Sequence, residues 1–201
     1  MNRVLCAAAT GAGVTPVKRA VAPGRLLPQP VAARAGHTAT MPPFEHSLVL
    51  PIDPACWAPP AAPVTVDGIV LTPKPELHIT VIGSALAREL RAVFDAHWLD
   101  AAVAATFDAC GWHFHRTGRR CLLRKCYAAD GAKHVAHSII ERIELPAMAP
   151  FHRELGRLLG RQLPVPPPHV TLYVAGRAQG IGVSSAVRLR AFAVREVDGL
   201  L

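Results

Sequence analysis

Pro75-Glu76-Leu77-His78-Ile79-Thr80-Val81-Ile82-Gly83 and Pro166-Pro167-Pro168-His169-Val170-Thr171-Leu172-Tyr173-Val174-Ala175-Gly176 carry one pattern twice. In each, a proline stands three residues before a histidine, a β-branched residue follows it, and a threonine comes next. An apolar run then leads to glycine. Such stretches read as β-strands, because β-branched residues suit the pleat and the flanking proline and glycine punctuate it. Side chains two apart on a strand share a face. Each histidine therefore points the same way as its threonine, while Ile79 and Val170 turn toward a core. Two such strands facing one another would gather two imidazoles and two hydroxyls around one small volume.

That set of groups suits a phosphate ester. Opening a phosphodiester needs one group to take a proton from the nucleophile and another to protonate the leaving oxygen. Histidine serves both roles, since its ordinary pKa lies near 6.5 and small shifts change its charge. Threonine hydroxyls can donate to the nonbridging oxygens as negative charge builds. The layout requires no metal. A lone His-x-Thr is weak evidence: among ten histidines, about one His-x-Ser/Thr arises by chance. His115-Arg116-Thr117 is such a decoy, running into Gly118 without the apolar context. The weight rests on the shared surroundings of His78 and His169.

The tetrapeptides His78-Ile79-Thr80-Val81 and His169-Val170-Thr171-Leu172 resemble the paired signature of the 2H phosphoesterase superfamily. That superfamily includes 2′-5′ RNA ligase-like proteins and plant cyclic phosphodiesterases. The resemblance implies a bilobed α+β fold with pseudo-twofold symmetry. Two antiparallel-rich sheets would flank a central cleft, with helices outside. It also implies metal-independent chemistry, with no cofactor, on RNA-derived cyclic phosphates or 2′-5′ linkages. His78 and His169 would be the acid–base pair, and Thr80 and Thr171 would hold the phosphate. The expected partner is an RNA end or a small cyclic nucleotide, and the expected enzyme a monomeric phosphoric diester hydrolase. Two rivals stay open: a binding module using the same cleft without turnover, and 2′-5′ RNA ligation, the same chemistry in reverse.

Two further residues are candidates for substrate contact. Tyr173 lies two after Thr171 and could share its face, or belong to the core. Arg124 sits in the basic stretch Arg119–Tyr127, which either lines the groove or forms a solvated strand edge. His113, His115, His134 and His137 could meet across neighbouring strands, but no acid or cysteine completes a metal set. No metal is assigned.

The rest of the chain sets the frame. Its 201 residues are 51% hydrophobic, enough for one domain with a real core. The net charge of +8 is uneven: residues 1–44 hold five basic residues and no acid, leaving +3 for the remainder. A mildly basic folded part suits a small anion or an RNA end better than a long duplex. Residues 1–43, rich in Ala, Gly and Pro, read as a disordered extension, and 44–201 as the domain. No apolar run is long enough to span a membrane. The five cysteines match no zinc spacing and read as thiols of a reducing compartment, the cytoplasm.

Periodicity places strands at 46–52, 64–71, 77–83, 112–117, 119–127, about 135–145, 169–175 and 185–197. Helices fall at about 86–94, 99–109 and 147–161, with Ser84 as the first N-cap. The motifs then occupy similar points in two halves, 91 residues apart.

Overall fold

A computed structural model describes residues 32–34 and 41–199 of the chain. Most of the stretch read as an extension lies outside the described residues. Within it, the backbone of Ala32–Arg34 forms a short strand, β1. The fold is α+β. The elements that follow are β2 (Leu48–Pro51), β3 (Val64–Val66), β4 (Ile69–Pro73), β5 (His78–Ile82), α1 (Ser84–Val93) and α2 (Ala96–Asp108). Then come β6 (His113–Ala129), β7 (Ala132–Glu144), α3 (Met148–Leu158), β8 (His169–Ala175), α4 (Ala186–Phe192) and β9 (Ala193–Glu196).

The nine strands form one antiparallel network. The β6–β7 hairpin is its spine, and β8 lies against β7. The far edge of β8 is shared: β5 pairs with it near its start, β4 near its end. β6 is likewise shared between β1 and β9. β2 continues the sheet beyond β5.

One face of the sheet carries the main core. Leu50, Ile79, Leu122, Ile139, Val170 and Tyr173 all lie in it, packed with Leu90, Leu99, Val103, Phe107, Phe151 and Leu155 from α1, α2 and α3. The apolar stripe of each helix supplies these contacts. Trp57 and Trp112 are buried as core residues, whereas Trp98 is 49% exposed. Under Val170 the core face also buries a charge. Glu141, with no exposed surface, takes two hydrogen bonds from Arg116 and one from Arg120. Arg116 stacks on Trp57, 3.8 Å from its ring. The two guanidiniums hold the carboxyl below its ordinary pKa, against the opposing effect of burial.

Several local expectations change. The strand read over 64–71 is a hairpin, β3–β4: Asp67 and Gly68 take φ of 52° and 75°, the left-handed pair a tight two-residue turn demands. Gly118 marks no hairpin turn. β6 runs through it as one strand with an irregularity between Arg116 and Arg120. Ser84 is the first helical residue and Gly83 the cap. The strand read over 185–197 is helix α4 followed by β9. Ser185 caps the helix by accepting from the Arg188 amide at 3.2 Å, and Leu189 and Phe192, three apart, pack on the sheet. A period of two and a period near 3.6 coincide over such short stretches.

Because Glu141 is buried with two cations, removing it leaves both guanidiniums without their anion. Glu141→Ala is expected to lower the unfolding free energy by about 3–5 kcal/mol in denaturant titrations. A loss below about 1 kcal/mol would show the cluster to be solvated.

Candidate active site

β5 and β8 meet at one register pair, Ile79 opposite Val170. In an antiparallel pair this sets His78 across from Thr171, and Thr80 across from His169. All four side chains stand on the face opposite the main core. Burial confirms the alternation: Ile79 and Val170 are fully buried, and the four motif residues are half-buried. The pairing thus brings together the two His-x-Thr units that lie 91 residues apart in the chain.

The prolines before β8 also act on the ring. His169 Nδ1 lies 2.8 Å from the Pro167 carbonyl. A carbonyl only accepts, so Nδ1 carries the hydrogen, and in the neutral ring Nε2 holds the lone pair. The His169 pKa is lowered, chiefly by burial; His78 lowers it further, while the Pro167 hydrogen bond raises it. His78 is lowered too, by burial and then by Lys74, with Glu76 opposing. In the free protein both rings are therefore neutral near pH 7.

The wall beside Thr171 is built by residues 177–192. Ile181 and Val183 pack with Cys121, Leu123, Ala136 and Ile140 in a second, smaller apolar cluster on the motif face. The Ile181 amide donates to Ser138 Oγ at 3.0 Å. Gly180, at φ +77°, lies so close that a Cβ would sit 3.2 Å from Ser138 Oγ and 3.3 Å from Thr171 Cγ2. Glycine is needed there on both counts. Lys74 is tied to this same wall, its Nζ donating to the Ala178 carbonyl at 3.2 Å.

Two sequence candidates fall elsewhere. Between Thr171 and Tyr173 the β7–β8 register shifts: Ile140 faces Thr171, but Ile139 faces Tyr173. Leu172 is the extra residue of a β-bulge, which reverses the alternation. Tyr173 therefore joins the main core at 1% exposure instead of sharing Thr171's face. Arg124 is opposite His137, in step with Leu122 and Arg120, so its register puts it on the face away from the motifs. His134 stacks on Tyr127, with ring centroids 5.5 Å apart. Among the described residues no three His, Cys, Asp or Glu side chains are grouped to hold a metal. The described cysteines are free thiols, and no described helix is long and apolar enough to cross a membrane.

Two basic residues at the site carry no mark in the sequence pattern. Lys74 precedes the first motif by four residues and acts on the His78 ring. Arg142 stands directly opposite His169 on β7. Both are placed by pairing between strands, which local sequence does not record.

No family model, curated protein or solved structure matches the chain. The residues and their geometry carry the functional argument.

The pKa shifts have a direct readout. In the free protein, NMR titration is expected to put both His78 and His169 below the ordinary value near 6.5. Adding inorganic phosphate should raise at least one of them, with proton uptake. Unshifted values that ignore phosphate would contradict a shared anion pocket.

Proposed function

We propose that the protein is a metal-independent phosphoesterase that opens 2′,3′-cyclic phosphates or cleaves related RNA-derived diesters. The observation that carries this reading is the Ile79–Val170 pairing, which sets both His-x-Thr units on one half-open face. The resemblance to the 2H phosphoesterases supports it. In this reading the two halves of the chain, each giving one motif strand, are the two lobes of a pseudo-twofold 2H-type fold flanking the cleft. The free cysteines suit a reducing, cytoplasmic setting.

The tautomer of His169 suggests the division of labour. Its Nε2 accepts a proton from water as the oxygen attacks phosphorus. His78, protonated once the anion has bound, gives its proton to the departing 2′ or 3′ oxygen as the P–O bond breaks. A bound phosphate favours that protonation by direct charge attraction. Thr80 and Thr171 donate to the nonbridging oxygens, where charge increases in the transition state. The cycle leaves His169 protonated and His78 neutral, and exchange with solvent resets both. Run backward, the same groups would join a 2′-5′ linkage.

His78→Ala and His169→Ala should each lower kcat on a nucleoside 2′,3′-cyclic phosphate by about 10²–10⁴-fold, with circular dichroism unchanged. EDTA should have no effect on the wild type. Full turnover in either variant would end the proposal. Tight binding of the nucleotide with no product from the wild type would make the protein a binding module.

The pH profile follows from the same rings. kcat/KM reports the free enzyme, in which both histidines titrate below the ordinary value. Its maximum is therefore expected on the acid side of about 6.5, falling as pH rises and the acid loses its proton. A maximum above about 7.5 would assign the chemistry to other groups.

A further inference from the structure

A cleft of about 630 Å³ opens on the outer side of α3, and no residue of the two motif strands lines it. One wall is the helix itself. Ala149, Arg153, Gly156 and Arg157 recur at spacings of three and four, so they share one helical face. The other wall is the return segment after the helix, where Arg161, Gln162, Leu163 and Val165 line the gap. Two contacts hold that segment. The Arg161 amide donates to the Gly156 carbonyl at 3.0 Å. The Arg161 guanidinium donates to both carboxylate oxygens of Glu89 on α1, at 2.6 and 2.7 Å. The segment crosses the helix so closely that a Cβ on Gly156 would lie 2.6 Å from the Arg161 carbonyl oxygen. Backbone contacts therefore set the distance between the walls.

The cleft's chemistry is one-sided. Three guanidiniums and the Gln162 amide line it, and among the described residues no acid does. Guanidiniums only donate, so the complementary ligand is an anion rich in acceptors. Arg153 is exposed and makes no ion pair among the described residues. Arg157 holds Glu154 at 3.0 Å in a solvent-exposed i,i+3 pair, a weak contact that a better anion can displace. Arg153 and Arg157 stand four residues apart, about 6 Å along the helix axis. Two linked phosphates can bridge that span, each gripped by one planar fork. The volume falls in the range of small-molecule sites, with room beyond the phosphates. Leu163 and Val165 give that room an apolar side.

We propose that this cleft binds a small molecule bearing a diphosphate, with a nucleoside diphosphate as the class that fits, at a site separate from the two motif strands. Arg153 and Arg157 take the phosphates, Arg157 exchanging Glu154 for one of them. Arg161 stays with Glu89 and holds the second wall, and the remainder of the ligand rests on Leu163 and Val165.

The test is an NMR titration of the full chain with ADP, AMP and hexaglutamate, read at the side-chain Nε–Hε signals of Arg153 and Arg157. Those signals report the cleft whatever binds at the motif strands. With ADP both should shift along one saturating curve, at least about tenfold tighter than with AMP, which offers a single phosphate. Arg153→Gln should weaken the ADP curve read at Arg157 by at least about tenfold, with circular dichroism unchanged, and Arg153→Lys should weaken it less. Arginine signals that ignore ADP would overturn the inference. So would AMP or hexaglutamate bound as tightly as ADP, which would reduce the cleft to a general cationic patch, or an Arg153→Gln chain that binds ADP like the wild type.

Discussion

The contact between Ile79 and Val170 is the constraint on which the site depends. Both side chains are fully buried, so the register of β5 against β8 is fixed by what the core accepts. Once that register is set, the placement of His78, Thr80, His169 and Thr171 follows from the pleat alone. A slip of one residue would send the histidines into the apolar core and the β-branched residues into the cleft. The core thus selects the geometry of the site, and the polar residues need little else to find one another.

Around this pair the fold arranges charge in two layers. Beneath Val170, Glu141 holds two arginines from β6, one of them stacked on Trp57. On the motif face, burial keeps the two imidazoles neutral, and Lys74 and Arg142 flank them. Lys74 biases that face toward an anion, with Glu76 opposing it at the His78 ring. The wall formed by residues 177–192, with Gly180 pressed against Thr171, narrows the approach on one side.

The motif strands were legible in the sequence because their information is local: a two-residue period, a β-branched centre, and proline and glycine at the ends. The helices α1 to α3 were legible for the same reason, at their own period. What escaped depends on pairing. Tyr173 shares the parity of Thr171 along the chain, and only the bulge at Leu172 turns it into the core. Arg124 and Arg142 both sit on long strands, and only the register with His137 and His169 tells which face each takes. Residues 185–197 alternate well enough for a strand, yet the Ser185 cap and the packing of Leu189 and Phe192 decide for a helix. The Asp67-Gly68 turn was readable, since that dipeptide is a strong hairpin signal between β-formers.

The most direct test is a crystal structure of the protein soaked with tungstate, a phosphate mimic. One oxyanion should lie between the two motif strands, within hydrogen-bond distance of the His78 and His169 rings and of both threonine hydroxyls. An anion held by one motif alone, or rings aimed at separate surfaces, would contradict the shared pocket and with it the proposed chemistry.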